Sequence, residues 1–517
     1  MTPFKAPLED ILFSLQHVAQ VSTTNEWDDA TATDILSHFS VFAEEVLAPL
    51  NATGDQEGAQ LVDGRVHMPT GFRGAYTQLI EDGWQGLSAP EEFGGAGVSI
   101  LVAAGVSEIF SGANHSLQMV CNLVPGAISI LRLFATPEQQ AHWIPKLTSG
   151  ECLSTMCLTE PSAGSDLSAI QCRAEPAGDG WVINGEKIFI SGGDQDLSNG
   201  ILHFVLARSG GKGIKGLSLF LCQSQPEITV TRIESKLGLH ASPTCQMLFS
   251  DASAELIGEE GAGLSAMFKL MNHARIDVAL QGVSHATNAA YQAHQYARER
   301  KQGRRLNGDV AYLSDHADVQ RMLNEQKILA MGARAACHIA LKESVSSQRP
   351  ALVEFLTSVC KLIGSEAGIQ SADLGIQILG GYGYLTEYGM EQIWRDARIT
   401  AIYEGANGIH ERTLATRGLQ SGKAAEDFVT LVNELANDDE KIKKAAASWL
   451  NRVQQLRSLT DPTVDAHSFS NLTRELLLQA VWVRIEEKAE HHPNVSDLKS
   501  LIDFRAKKLT TNIVKSG

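Results

Sequence analysis

The sequence has few cysteines, and their spacing argues against both a disulfide framework and a metal site. Eight cysteines are spread through 517 residues. None belongs to a C-x-x-C pair, and no cysteine–histidine group has the spacing of zinc ligands. We therefore predict no metal and reduced thiols packed as small apolar side chains, as is typical of a cytoplasmic protein.

Long apolar runs and basic residues are also scarce. No stretch approaches the roughly 20 apolar residues that a membrane-spanning helix needs. The first residues, MTPFKAPLEDILF, have acidic side chains inside their apolar stretch, which makes them a poor signal peptide. With 43 basic and 60 acidic residues, the formal net charge is -17, and such a surface repels phosphate backbones at long range. We therefore predict no membrane span, a cytoplasmic location and no nucleic-acid partner.

What the sequence does contain is a helical periodicity that is interrupted once. Apolar residues recur at helical spacing before Cys152, as in Ile35, Phe39 and Phe42. Short β-rich runs with turn signals between them follow, and one of these signals is a hairpin turn at Asn184-Gly185. From Gly263 long helical segments return and continue towards the C-terminus, with a polar loop at 458–468.

This order predicts an α+β fold. We expect a helical N-domain, a middle antiparallel β-domain, a C-terminal helix bundle and an extra helical C-terminal tail. The predicted bounds are 1–36 for an N-terminal extension, 37–151, 152–262 and 263–420 for the three domains, and 421–517 for the tail.

Three strings could carry chemistry. CLTEPSAGSDLS, Cys157–Ser168, is a loop after a strand whose hydroxyls can hydrogen-bond a flat polar ring or a phosphate, and it also suits a plain turn. NGEKIFISGG places Phe189 and Ser191 on one face of a strand, where they can cover a cofactor or simply fill a core. In IYEGANG, burial of Glu404 would raise the pKa of its carboxyl group and suit it to accept a proton from carbon. An isolated Glu-Gly is nevertheless more often an exposed turn.

Together and in this order, the three strings resemble the acyl-CoA dehydrogenase family. The resemblance covers about residues 40–420 and includes four more strings: PEEFGGAGVS, KLGLHASPT, MNHARIDVALQGVS and YARERKQG. It implies a barrel-like middle domain and a four-helix-bundle C-terminal domain, with FAD bound between them. The implied reaction converts an acyl-CoA thioester to the trans-2-enoyl-CoA, with the α-proton passing to a glutamate and the β-hydride to flavin N5.

The resemblance assigns roles position by position. Glu404 corresponds to the base. The implied cofactor contacts are Leu158, Thr159, Ser165, Phe189, Ser191, Arg300, Gln377, Gly380 and Gly381. The implied substrate contacts are Ser165, Asn272, Arg275 and Gly405. Because the family's equivalents of Arg300, Gln377, Gly380 and Gly381 reach the FAD of a neighbouring subunit, a homodimer or homotetramer is implied. An electron-transfer flavoprotein is the implied electron acceptor.

The sequence departs from the family pattern at several of these positions. The family commonly has tryptophan at the position of Phe189, threonine at those of Ser191 and Ala406, and glutamine at that of Gly408. Some FAD contacts must therefore be made differently. Several strings are most similar to a subgroup that acts on 3-methylthiopropanoyl-CoA or on long acyl chains. The expected substrate is therefore 3-methylthiopropanoyl-CoA or another short to medium acyl-CoA.

Two alternative functions stay open at this point. An acyl-CoA oxidase that passes electrons to O2 would carry the same glutamate and FAD strings. A DNA-binding relative would use the C-terminal tail, although this tail mixes acidic and basic residues, which is typical of solvated helix faces. A scaffolding relative would have lost its activity, and the presence of Glu404 argues against that.

Overall fold

The computed structural model describes residues 2–346, 348–420 and 423–516, with the backbone alone for 269–273 and 509–516. The chain divides into two compact units. The bundle unit comprises Met1–Glu44, Ala104–Gly112 and Arg275–Gly517, and the sheet unit comprises Glu45–Ala103 and Ala113–Ala274.

The part of the chain before the main sheet is mainly helical, as its periodicity predicts. Three of the helices begin at side-chain caps: Asp28 accepts a hydrogen bond from the backbone N–H of Thr31, Ser99 accepts one from that of Leu101, and Thr136 forms a capping box with Gln139. The helices are α1 Leu8–Leu12, α2 Asp29–Phe42, α3 Leu50–Glu57, α4 Phe72–Glu81, α5 Ile100–Cys121, α6 Val124–Phe134 and α7 Pro137–Thr148.

The sheet unit holds a seven-stranded sheet and a small hairpin. In the large sheet the order is β3-β6-β4-β5-β9-β7, with β8 beside β9, and β6 also pairs with β7. The hairpin is β1 Gln60–Val62 and β2 Arg65–His67; the large sheet consists of β3 Cys152–Cys157, β4 Arg173–Ala177, β5 Gly180–Ser191, β6 Gly200–Arg208, β7 Leu217–Gln223, β8 Ile228–Ile233 and β9 Thr244–Ile257.

Two features of this sheet differ from the sequence predictions. The pair β3–β6 is parallel, which the antiparallel expectation did not include; β4 and β5 lie between these strands in the chain and make the connection long enough. The predicted hairpin turn at Asn184-Gly185 is wrong, because both residues lie inside β5. There the amide of Asn184 exchanges two 2.8 Å hydrogen bonds with Asp251 of β9, and a register shift replaces the turn.

Helices dominate the bundle unit, and in the described part of the chain ten α-helices follow the large sheet. They are α8 Gly263–Glu299, α9 Ala317–Ser346, α10 Pro350–Leu379, α11 Met390–Arg398, α12 Asn407–Ala415, α13 Arg417–Gln420, α14 Ala424–Leu435, α15 Glu440–Ser458, α16 Ala466–Glu487 and α17 Val495–Ser516, and a hairpin of β10 Lys301–Arg304 and β11 Val310–Tyr312 follows α8. Helices α8 and α10 cross in backbone contact, since a Cβ on Gly282 would lie 2.2 Å from the carbonyl oxygen of Gly364. The predicted loop at 458–468 is shorter, because a turn capped by Asp461 leads directly into α16.

The C-terminal tail shares its core with the bundle. Phe355 of α10 packs against Phe428 of α14 with ring centroids 5.3 Å apart, and Phe428 packs against Trp449 of α15 at 4.8 Å. The fully buried Trp449 also stacks on Phe469 of α16 and donates a 2.9 Å hydrogen bond to Thr473. An aromatic cluster of this kind buries a large apolar area, so the tail is a packed part of the bundle unit.

The cysteines are free thiols packed in the interior, as their spacing in the sequence predicts. All eight cysteines are buried and free, and burial raises the pKa of the Cys157 thiol to about 12. Among the described residues, no group of three or more metal-ligating side chains could hold a metal ion. In the same part of the chain, no single helix is long and apolar enough to cross a membrane; by length and hydropathy together only the pair α5 and α6 would suffice, and this pair is bent by 42°.

Candidate active site

Glu404 lies in a tight turn that leads into α12. The φ of Glu404 is +52° and that of Gly405 is +94°, so both residues have left-handed backbone conformations. A residue other than glycine rarely adopts this conformation and keeps it only where its surroundings hold it. Position 405 requires glycine for a second reason, because a Cβ there would lie 2.9 Å from the ring of His410.

One oxygen of the Glu404 carboxyl group is buried. Its Oε2 atom is shielded from solvent and has no hydrogen-bond partner among the described residues. Burial raises the pKa of this carboxyl group, the positive charges of Arg275 and Lys361 oppose the rise, and the negative charge of Asp277 adds to it. A raised pKa and a free oxygen suit a group that accepts a proton.

Polar side chains of α8 form a hydrogen-bond chain with Tyr403, the residue before Glu404. The hydroxyl of Tyr403 donates to Gln281, the amide of Gln281 donates to Asp277 over 3.1 Å, and Ser107 also donates to Asp277. Arg275, a predicted substrate contact, is buried on the same helix, two residues before Asp277. Asn272, the other substrate contact predicted on this helix, lies among the residues whose side chains the structure does not describe.

Two buried residues beside the base are absent from the sequence prediction. Lys361 of α10 is fully buried and donates to the carbonyl of Gly405 over 2.7 Å and to the side chain of Asn407 over 2.9 Å. His410 lies 3.1 Å from the carbonyl of Glu404 through Nε2. A sequence signal for the lysine exists, because it is the single charged residue in SVCKLIG, inside a helix that reads as buried.

In the sheet unit, the loop that follows β3 carries several predicted cofactor contacts. Leu158 is buried, Thr159 is half-buried and Ser165 is exposed. The fully buried Lys187 holds the base of this loop by donating to the carbonyl of Leu158 over 3.0 Å and to the carboxylate of Glu160 over 2.8 Å. These contacts fix the first residues of the loop that carries the hydroxyls of Thr159 and Ser165.

Phe189 and Ser191 lie near the end of β5, beside this loop. The strand has a register shift between Lys187 and Ile190, and Phe189 has a φ of +60° with 59% of its surface exposed. A bulge of this kind turns a side chain away from its regular direction. A left-handed, exposed aromatic residue is an outlier that points to function. Ile188 donates to the carbonyl of Thr159 over 2.9 Å, which joins the strand to the loop.

A second group of predicted cofactor contacts lies in the bundle unit. Arg300, Gly380 and Gly381 line one pocket of about 480 Å³ together with apolar and aromatic side chains. The guanidinium carbon of Arg300 lies 5.3 Å from the ring centroid of Tyr382, which is a cation–π contact. Gln377 is exposed and does not line this pocket.

Comparison with known proteins defines the class. The chain matches "Acyl-CoA dehydrogenase, N-terminal domain" over residues 30–151, the middle domain over 155–252 and the C-terminal domain over 261–419. The chain belongs to the acyl-CoA dehydrogenase family. The resemblance seen in the sequence and the predicted order of helical, β and helical domains are thereby confirmed.

Two curated relatives of the chain are named acyl-CoA dehydrogenases. The chain is 37% identical over 492 residues to the 3-methylmercaptopropionyl-CoA dehydrogenase of Ruegeria pomeroyi, covering 88% of this chain and 83% of the relative. It is 31% identical to a broad-specificity linear acyl-CoA dehydrogenase of Mycobacterium tuberculosis, covering 82% and 76%. These relatives support dehydrogenation over the oxidase alternative.

Solved structures show the same fold. An acyl-CoA dehydrogenase from Geobacillus kaustophilus superposes with a TM-score of 0.67 at 25% identity, covering 76% of this chain and 99% of that one. An acyl-CoA dehydrogenase complexed with FAD from Bacillus anthracis superposes with a TM-score of 0.76 at 22% identity, covering 93% and 86%. The second covers most of the C-terminal tail region as well, at the level of the fold.

Proposed function

We propose that this acyl-CoA dehydrogenase removes the α-proton of its thioester substrate with Glu404. The observation that carries the proposal is the buried, unpartnered carboxyl oxygen on a turn with two left-handed residues. An α-proton of a thioester is weakly acidic, so the transfer needs a base whose pKa is raised towards that of the carbon acid. Burial of Glu404 raises its pKa in this direction.

The neighbouring charges set the state of the base before reaction. Arg275 and Lys361 lower the pKa of Glu404 and so favour the ionised carboxylate that accepts a proton. A bound thioester would displace water from this carboxylate and raise its pKa further, because fewer water molecules would solvate the charge. The α-proton then passes to the carboxylate of Glu404.

The cofactor is FAD, and the residues present fit it. When bound, FAD accepts the hydride that leaves the β-carbon of the substrate. In the sheet unit, the hydroxyls of Thr159, Ser165 and Ser191 and the exposed ring of Phe189 suit a flat polar ring system. In the bundle unit, the pocket with Arg300 suits a pyrophosphate, since a guanidinium binds phosphate oxygens in a bidentate manner.

We propose 3-methylthiopropanoyl-CoA as the first candidate substrate and short to medium acyl-CoAs as the next. The 37% identity to the Ruegeria pomeroyi enzyme over most of both chains supports this order. The test is an anaerobic titration of the yellow, FAD-loaded protein with a panel from propanoyl-CoA and 3-methylthiopropanoyl-CoA to palmitoyl-CoA. The candidate should bleach the flavin fastest; fastest bleaching by palmitoyl-CoA would contradict the proposed substrate while leaving the reaction class intact.

The remaining proposals concern partners and location. We propose a homodimer or homotetramer in the cytoplasm, with an electron-transfer flavoprotein as electron acceptor. A solved chain from a study of the electron transferring flavoprotein of Acidaminococcus fermentans supports the choice of acceptor, with a TM-score of 0.68 and 28% identity, covering 76% of this chain and 98% of that one. In an oligomer, Arg300 would meet the FAD of a second copy.

Replacing Arg300 by alanine tests the role of this pocket. Arg300→Ala should release FAD more readily and weaken the oligomer in parallel, because one charge-assisted contact to phosphate is lost at the subunit boundary. FAD retention by gel filtration and mass by light scattering measure both effects. Arg298→Ala, an exposed arginine one half-turn earlier on α8, is the matched control and should change neither. Unchanged FAD retention in Arg300→Ala would count against the inter-subunit role.

A further inference from the structure

The turn that carries Glu404 is held by hydrogen bonds to its own main chain. The carbonyl of Glu404 lies 3.1 Å from Nε2 of His410, and the carbonyl of Gly405 accepts a 2.7 Å bond from Lys361. These are the two residues with left-handed backbone conformations, at φ values of +52° and +94°. Each of the two unusual peptide units therefore has one buried side chain bound to its oxygen.

The histidine contact requires one protonation state. Because a carbonyl oxygen only accepts, Nε2 of His410 must carry the hydrogen, and Nδ1 then accepts from the hydroxyl of Ser358 at 3.3 Å. Burial lowers the pKa of His410 to about 3, so the ring is neutral in this tautomer near pH 7. Ser358 on α10 thus orients the ring, and the ring fixes the carbonyl of Glu404.

Lys361 lies close to the base but binds the main chain, and among the residues that the structure describes no salt bridge joins it to Glu404. Nζ of Lys361 donates to the carbonyl of Gly405 and to Asn407, and Asn407 is bonded in turn to Ser365 one turn further along α10. The charged groups that act on Lys361 are Glu404, Arg275 and Glu366. Burial lowers the pKa of this lysine to about 7, and Glu404 works against that change.

We propose that Lys361 and His410 are positioning residues for the base. Lys361 holds the carbonyl of Gly405, His410 holds the carbonyl of Glu404, and together they keep the carboxyl group of Glu404 in the strained turn from which it takes the α-proton. This inference rests on the proposed role of Glu404. It assigns function to a buried lysine that the proton transfer itself does not use, and it explains why a strained non-glycine residue persists at position 404.

The experiment compares Lys361→Met, His410→Leu and His410→Gln with the wild-type FAD-loaded protein. Methionine keeps an unbranched side chain of nearly the length of lysine without its charge or donors, and glutamine keeps an N–H donor that leucine lacks. Lys444→Met, an exposed lysine on α15, is the matched control. For each protein, stopped-flow flavin bleaching gives the reduction rate, spectral titration gives substrate affinity, and absorbance and thermal melting report FAD content and folding.

We expect Lys361→Met to bind FAD and substrate nearly as the wild type does and to reduce the flavin about 10- to 100-fold more slowly, because a displaced base loses its reactive geometry. The acid limb of its rate–pH profile should move to higher pH, since removing a positive charge raises the pKa of Glu404, which Asp277 already raises. His410→Leu should also lose rate, and His410→Gln should recover most of it.

A wild-type rate and pH profile in a folded Lys361→Met protein would overturn the inference for the lysine. If that variant does not fold, the histidine pair decides, and equal rates for His410→Leu and His410→Gln would overturn it. The variant Glu404→Gln tests the proposed function independently of the positioning residues. Should that variant keep its rate, Glu404 is not the base; should it lose all rate while Lys361→Met is unaffected, only the positioning roles are refuted.

Discussion

The variant Glu404→Gln is expected to bind FAD and acyl-CoA and to bleach the flavin about 10²- to 10⁴-fold more slowly, the range that a positioned base contributes. An amide of the same size cannot accept the α-proton. The main-chain contacts of residue 404 are kept in this variant, because His410 binds its backbone carbonyl. Anaerobic stopped-flow mixing with saturating substrate measures the effect.

A matched control separates the lost base from a general effect of the substitution. Glu387→Gln removes an exposed carboxylate from the same unit and should leave the bleaching rate within about twofold of wild type. A Glu404→Gln protein that bleaches at the wild-type rate would remove Glu404 from its role. Since burial raises the pKa of Glu404, the wild-type rate should fall as the pH drops through that raised pKa.

We expect the variant Lys187→Met to lower the free energy of unfolding more than any other variant named above. Lys187 and Glu160 form an ion pair in which both side chains are almost fully buried, and the lysine also donates to the carbonyls of Leu158 and Leu206. Removing one partner leaves a buried carboxylate without its counter-charge, which costs about 3–5 kcal/mol. Because the pair holds the start of the loop with Thr159 and Ser165, FAD retention should fall as well.

Thermal melting of the FAD-free protein measures the stability of this variant. The double variant Lys187→Met/Glu160→Gln removes both charges and should recover part of the loss, since the uncompensated carboxylate is gone. Lys215→Met, at an exposed position of the sheet unit, should melt as the wild type does. A single variant as stable as wild type would show that the pair contributes no net stability.

Much of the fold could be predicted because the signals that carry it are local. The long helical segments predicted from Gly263 onward are observed, for example as α8 Gly263–Glu299 and α10 Pro350–Leu379. The Asn184-Gly185 turn failed for the opposite reason. Its local signal is a good hairpin signal, but Asp251, far along the chain on β9, offers the Asn184 side chain two hydrogen bonds that keep the strand continuous.

The sequence by itself determined the family, the order of helical and β domains and the identity of Glu404 as the candidate base, because hydrophobic periodicity and contiguous motifs are properties of neighbouring residues. Only the tertiary structure decided what surrounds that base. Lys361 is separated by 44 positions from the carbonyl it binds, and a positive φ at Glu404 has no local signature. Hydrogen bonds between distant segments and burial exist only once the helices have packed, and these set both the conformation of the turn and the pKa of its carboxyl group.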